Sequence, residues 1–267
     1  MSRVEERRRA ASTPFGAPLS RGRNRHGDPF KEVCHSVIPL SDDAPKGRFA
    51  WVTLILLLGN VAVFLAQHYG AARDPAQWYF RLGCIPYEIS RLVDIGPTEL
   101  VPVPFTLFTS LFLHGGWIHL AANMLFLWIF GDNVEARLGH GRYALFYIAC
   151  GVVAAGVQVA IHPGSRTPIV GASGAIAAIM AAYLVFYPHA RVKTLVFWFV
   201  FVQVVRIPAV VFLGYWIAVQ LLAGLALQGH GTDGVAWFAH VGGFAAGLCV
   251  AFALRSRRRG GRKRKPK

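Results

Sequence analysis

Apolar and polar positions do not alternate finely along this chain but separate into long blocks. Six blocks are apolar for about the 20 residues that a helix needs to cross a bilayer. They run from Phe49 to Tyr69, from Trp117 to Phe130 with an apolar lead-in from Phe105, from Tyr143 to His162, from Ser173 to Tyr187, from Ile207 to Leu227 and from Val235 to Leu254. The stretch from Thr194 to Leu227 is long enough to tempt a seventh span. Arg206 and Pro208 interrupt it, so its first part reads as an interfacial or partly buried connection. The expected fold is an all-α polytopic membrane protein, a bundle of six transmembrane helices over 49–254. A basic, mobile tail at 1–48 precedes it and a second basic tail at 255–267 follows.

Composition changes this picture only by adding a direction. The 267 residues are 54% hydrophobic with 28 Lys and Arg against 13 Asp and Glu, and the mean hydropathy is +0.43. A basic excess in a soluble domain would suggest nucleic acid; here the cations sit between and outside the apolar blocks, where they report topology. Ten lie in 1–48, two in 131–142, two in 188–193 and nine in 255–267. The alternate loops carry only Arg73, Arg81, Arg91 and Arg166. Both termini are therefore expected in the cytoplasm, with no nucleic-acid partner and with anionic headgroups as partners of the basic tails. The first forty-odd residues lack the apolar centre of a signal peptide. Cys34, Cys84, Cys150 and Cys249 are scattered through spans and opposite sides, which excludes a disulfide framework and supports neither a metal nor a redox role.

With that topology the second, fourth and sixth spans all enter from the outer side, and each carries a polar group in its first turns. His119 and Asn123 are four apart and share one helical face. Ser173 opens the fourth span and His240 the sixth. Polar groups are costly at membrane depth, so a shared, water-reachable cavity is the economical explanation. Serine is a weak nucleophile until an imidazole takes its proton, and histidine titrates in the useful range. Ser173 and His240 thus read as a nucleophile and its base. A serine at a helix N-terminus brings its own N–H and the positive end of the dipole to an oxyanion, and Asn123 and His119 are candidate side-chain donors to the same hole. No carboxylate is obviously placed as a third member; Asp233 is a weak candidate for orienting His240. Gly243 and Gly247 on the sixth span, with Gly174 and the alanines at 177, 178, 181 and 182 on the fourth, make both helices slim enough for close approach.

Each of these residues also has a plainer reading. Gly171-Ala172-Ser173-Gly174 alone is a common packing device, and His240 alone an interfacial histidine. His114 reads as a structural hydrogen-bonder, and Trp117, Trp237 and Tyr69 as interfacial anchors. Asp132, Asn133, Glu135 and Arg137 read as a capping and ion-pair cluster on the inner side. The joint placement of four polar groups on one side of three alternate spans favours the catalytic reading.

The motifs together resemble those of the rhomboid intramembrane serine proteases over roughly residues 37–254. His119-x-x-x-Asn123, Gly171-x-Ser173-Gly174 and Ala239-His240-x-x-Gly243-x-x-x-Gly247 look like the family's second-helix, nucleophile and last-helix motifs, in the family's order. The resemblance implies a six-helix rhomboid-like bundle without metal or cofactor, with Ser173 as nucleophile, His240 as general base, and His119 and Asn123 lining the oxyanion hole. It implies transmembrane proteins with easily unwound helices as substrates, and a bacterial plasma membrane as location. The chain departs from the family twice. Some members carry Trp-Arg before the second span where this chain reads Val101-Pro-Val-Pro-Phe105-Thr106, and some place an aromatic four residues after the nucleophile, where Ala177 stands here. The rival reading is a non-catalytic relative that binds or escorts transmembrane helices; a small-solute transporter is disfavoured, as the spans show no internal repeat. The segment 70–104, with Trp78, Tyr79, Phe80 and Tyr87, has the aromatic content of an interfacial element that guides substrate.

Overall fold

A computed structural model describes residues 37–45, 47–70, 75–95, 100–198, 201–226 and 235–262. The chain is mostly helical. Six main helices, α1 (Trp51–Tyr69), α5 (Trp117–Leu138), α6 (His140–Ile161), α7 (Ser173–Phe186), α8 (Ala209–Ala226) and α9 (Trp237–Arg262), occur where the six apolar blocks are. Between the first two lie the short α2 (Pro75–Leu82), α3 (Pro86–Arg91) and α4 (Thr106–Thr109). α1, α6, α8 and α9 as far as Arg255 are each long and apolar enough to cross a membrane alone. The short helical run Val103–Phe112 meets α5 at a bend of 79°. The chain is an integral, multi-pass membrane protein.

α7 is the centre of the bundle. It has 14 residues, and every one from Gly174 to Tyr183 is buried. At 1.5 Å per residue it covers about 21 Å of a hydrocarbon core about 30 Å thick. Its C-terminal end is tied to polar groups through Tyr183 and Tyr187, and Ser173 begins it at the other end. No oil–water force drives helices together in lipid; shape does. A Cβ on Gly243 of α9 would stand 2.0 Å from the Gly174 carbonyl oxygen of α7, and one on Gly247 would stand 2.3 Å from that of Ala178. A Cβ on Gly174 would in turn meet Ala154 of α6 at 2.6 Å. α7 and α9 therefore touch through backbone, and α6 closes on them through the Ala154 methyl, where any larger residue would part the helices.

The end opposite Ser173 is closed by two carboxylates. Glu135, near the C-terminus of α5 and 1% exposed, accepts from the N–H groups of Val52 at 2.9 Å and Thr53 at 2.7 Å, and from Thr53 Oγ1 at 2.7 Å. A helix begins with unsatisfied N–H groups, and here another helix supplies their acceptor. His140 Nδ1 lies 2.6 Å from the same carboxylate. Of the inner cluster expected at Asp132, Asn133, Glu135 and Arg137, Glu135 caps α1 in this way, Asn133 Nδ2 donates to Asp132 Oδ1 at 3.0 Å, and Arg137 lies over the Phe186 ring.

The second carboxylate belongs to a feature that the all-α expectation does not contain. β1 (Val37–Asp42), β2 (Arg191–Trp198) and β3 (Phe201–Pro208) form an antiparallel sheet in that order, with a bulge in β1 between Pro39 and Ser41. The connection before α8 is this β2–β3 hairpin, rich in β-branched and aromatic residues, so the described part of 194–208 is strand and not part of a further span. β1 lies inside the segment expected to be a mobile tail; residues 1–36 fall outside the described residues. β1 docks through Asp42, whose Oδ2 accepts from Tyr183 Oη at 2.5 Å, Asn133 Nδ2 at 3.0 Å and the Ala44 N–H at 3.2 Å. Arg191 N–H donates to Asp43 at 2.6 Å.

Burial pushes the Asp42 carboxyl above its ordinary range, outweighing the hydrogen bond from Tyr183 that pulls it down. A raised folded-state value means that the native state holds this proton more tightly than the unfolded chain does. The stabilisation it brings is complete below the ordinary value of 3.8 and is lost as pH rises through the folded value. Asp42→Asn, which keeps an acceptor oxygen without the charge, is expected to leave stability at pH 7 unchanged or slightly raised and to flatten its acid-side pH dependence. Asp42→Leu strands three donors and is expected to cost about 1–3 kcal/mol. Thermal unfolding in detergent between pH 4 and pH 8 checks both.

Candidate active site

Ser173 is the first residue of α7, and Gly171 before it adopts φ +126°, a left-handed backbone that favours glycine. The Gly171 N–H donates to the Ser110 carbonyl at 2.9 Å, which fixes the turn that presents the serine. His240 lies in the first turn of α9, three residues before the Gly243 contact. That contact brings the two side chains together: Ser173 Oγ and His240 Nε2 are 2.7 Å apart. His240 Nδ1 is 2.6 Å from Oε1 of Gln220 on α8. Since that amide oxygen only accepts, Nδ1 carries the hydrogen and Nε2 offers a lone pair to the Ser173 hydroxyl.

His119 and Asn123 face the turn before Ser173 from α5. His119 Nδ1 accepts from the Gly115 N–H at 3.3 Å, which leaves its Nε2 as the donor. A Cβ on Gly171 would lie 2.8 Å from His119 Nε2 and 3.7 Å from Asn123 Nδ2. The space a side chain at 171 would fill is thus bordered by two donors. Asn123 Nδ2 is buried and has no hydrogen-bond partner in the protein. A buried donor without a partner is costly, and an arriving acceptor would relieve that cost. Ser173, His240, His119, Asn123 and Gln220 all line one cavity of about 940 Å³, large enough for several side chains of a guest.

The cavity's rim comes from the aromatic segment before α5. Tyr79 and Phe80 of α2 line it, with Thr167, Pro168 and Ile169 from the loop before α7. A β-bridge between Cys84 and Ile169 and the bond from Tyr87 N–H to the Ser165 carbonyl at 2.9 Å join these two segments. His114 is fully buried, but its bonding is by the backbone. Its N–H donates to Gln67 and its carbonyl accepts from Tyr79 Oη, while both ring nitrogens lack partners and the ring packs 5.2 Å from that of His119. Trp117 packs on Phe64 and, like Tyr69, is largely exposed, as an interfacial anchor would be. Asp233 lies outside the described residues. Among the described residues no group of three or more His, Cys, Asp and Glu comes together as a metal-ligand set. Cys84, Cys150 and Cys249 are free thiols.

A family model described as the Rhomboid domain matches residues 103–257, which includes every residue of this cavity named above except Tyr79 and Phe80. The chain belongs to the rhomboid family. RHOMBOID-like protein 6, mitochondrial, of Arabidopsis thaliana is 28% identical over 77% of this chain and 69% of its own length. RHOMBOID-like protein 4 of the same plant is 31% identical over 78% of this chain and 54% of its own length. The Rhomboid protease GluP of Bacillus subtilis (strain 168) is 32% identical over 55% of this chain and 25% of its own length.

The departure from other rhomboid proteins at Ala177 has a structural answer. Trp216 of α8 packs on the His240 ring with centroids 5.7 Å apart, and Trp237 meets it edge-on at 6.4 Å. Neither Gln220 nor Trp216 is singled out by sequence motif. The available signal is that Gln220 is a lone amide in an apolar span and that Trp216 lies four residues before it on the same face.

Gly243→Ala tests the packing that sets this geometry. A methyl 2.0 Å from the Gly174 carbonyl oxygen forces the helices apart by about 1 Å or more, with an overpacking cost of about 1–3 kcal/mol. The expected outcome is a lowered Tm together with loss of Ser173 labelling by a fluorophosphonate probe, both read on purified protein in detergent.

Proposed function

We propose that this protein is a serine endopeptidase that hydrolyses peptide bonds in or near the transmembrane segments of other membrane proteins. The observation that carries the proposal is the 2.7 Å approach of Ser173 Oγ to His240 Nε2, at the wall of a cavity whose adjacent face holds two side-chain donors. In this reading Ser173 Oγ attacks the scissile carbonyl carbon as His240 Nε2 takes its proton. Charge builds on the carbonyl oxygen, where the Ser173 N–H, Asn123 Nδ2 and His119 Nε2 are the available donors. Collapse of the tetrahedral species breaks the C–N bond, and His240 returns the proton to the leaving amine. A water molecule, deprotonated by the same imidazole, then releases the acyl group and restores Ser173.

A helical substrate hides its carbonyls in hydrogen bonds, so cleavage requires local unwinding. Membrane proteins with small or helix-breaking residues near the outer surface are therefore the proposed substrates, admitted beside the aromatic rim of α2. The basic side is the cytoplasm in this reading, with both termini there and the cavity opening outward, in a bacterial plasma membrane. The basic stretches outside the described elements, 1–36 and 263–267, act on anionic headgroups.

Ser173→Ala and His240→Ala are each expected to abolish cleavage of a single-span substrate in proteoliposomes. Asn123→Ala is expected to lower kcat by about 10²–10³ with little change in KM, as loss of one oxyanion donor does. Cleavage by Ser173→Ala at the wild-type rate would sink the Ser173 mechanism, whereas no cleavage by any form would favour the helix-binding role.

A further inference from the structure

We infer that Gln220 is the positioning residue that makes His240 a base. The inference rests on the proposed protease reading for its kinetic consequence, and on geometry alone for its physical content. A neutral imidazole exists as two tautomers, and only the one with its hydrogen on Nδ1 leaves Nε2 free to take the Ser173 proton. Something must select it. Gln220 Oε1 sits 2.6 Å from Nδ1, and Gln220 is 3% exposed, so bulk water does not compete for this bond. An amide with its nitrogen turned to the ring would donate to Nδ1, place the hydrogen on Nε2 and leave Ser173 without a base.

Gln220 is neutral and its oxygen is far too weak a base to accept the proton. No proton passes beyond His240: the Nδ1 hydrogen stays on the ring, and the acceptor stabilises the imidazolium formed when Nε2 is protonated. The arrangement works as a Ser173–His240–Gln220 line whose third member is an amide carbonyl. It stands where serine hydrolases of other folds hold a carboxylate.

The line also joins three helices. Ser173 is on α7, His240 on α9 and Gln220 on α8, and Trp216 on the same α8 face packs on the His240 ring. A displacement of α8 away from the bundle would withdraw both the acceptor and the ring contact from the base while leaving Ser173 in place. Competence of the dyad is in this way conditional on α8 being docked.

The test compares wild type, Gln220→Leu and Gln220→Glu in proteoliposomes with a fluorogenic single-span substrate, beside ring-¹⁵N-histidine NMR with His240 assigned by difference against His240→Ala. Glutamate presents an accepting oxygen in either charge state and leucine presents none. The expected result is an Nδ1–H tautomer for His240 in wild type and Gln220→Glu, lost in Gln220→Leu. With it kcat should fall about 10- to 100-fold in Gln220→Leu at unchanged KM, the scale seen when an outer hydrogen-bond partner of a site histidine is removed, and Gln220→Glu should keep kcat close to wild type at a lowered Tm, since the buried carboxylate costs stability. An Nε2–H tautomer in wild type would overturn the inference, as would Gln220→Leu with wild-type kcat. Equal losses in both variants with a lowered Tm would reduce Gln220 to a packing residue. Absence of cleavage by wild type would count against the protease reading alone, because the tautomer still decides the role of Gln220.

Discussion

The site depends on one contact, the backbone-to-backbone approach of α7 and α9 at Gly174, Gly243 and Gly247. Hydrogen-bond reach between Ser173 and His240 requires the two helix axes to be closer than ordinary side chains permit, and glycine is the only residue that lets a carbonyl oxygen stand 2.0 Å from a would-be Cβ. The contact has no polar component of its own. Its geometry is transmitted because His240 precedes Gly243 by three residues and therefore lies almost on the same face of α9, turned toward α7. Shape complementarity in the helix below the site thus does the work that a rigid loop does in a soluble hydrolase.

The two ends of the bundle treat polar groups in opposite ways. At the arginine-rich end Glu135 and Asp42 each collect three or more donors, and they tie down the start of α1 and the strand β1, which also pairs with β2. Such closed networks fix one arrangement. At the other end Asn123 Nδ2 is left without a partner and both nitrogens of His114 are buried bare. Asn133 Oδ1 at the first end also lacks a partner, but Asn123 borders the cavity and Asn133 does not. That asymmetry is what separates a scaffold from a site.

What could be read from the residues follows from the same division. The six apolar blocks, the four polar residues on alternate spans and the packing glycines were legible because each belongs to a periodic helix whose direction the basic loops supply. The β-sheet was hidden because residues 194–208 are as apolar as a span; only Arg206, Pro208 and the β-branched alternation marked them, and their partner β1 lies more than 140 residues earlier. Asp42 could not be paired with Tyr183 by spacing for the same reason. Gln220 and Trp216 were missed because they act on His240 from a third helix, and no motif around the nucleophile or the base points to the residue that completes them. Water-soluble triads hold a carboxylate as third member, and the only acidic residue shortly before His240 in sequence is Asp233, whereas Gln220 lies twenty residues away on another helix.

The dielectric explains why an amide fits that position. A carboxylate beside His240 would have to be taken out of water at a cost of several kcal/mol, repaid only when the imidazole is charged. In the resting state the imidazole is neutral, so the carboxylate would lie buried and uncompensated for most of the cycle. An amide oxygen makes the same tautomer-selecting bond with no net charge to desolvate, and gives up only the extra stabilisation of the transient imidazolium. Trp216, tilted at 42° with its centroid 5.7 Å from that of the His240 ring, is an aromatic neighbour within reach of a cation formed there. In the proposed mechanism a neutral acceptor and an aromatic neighbour hold the base ready without storing a charge beside it.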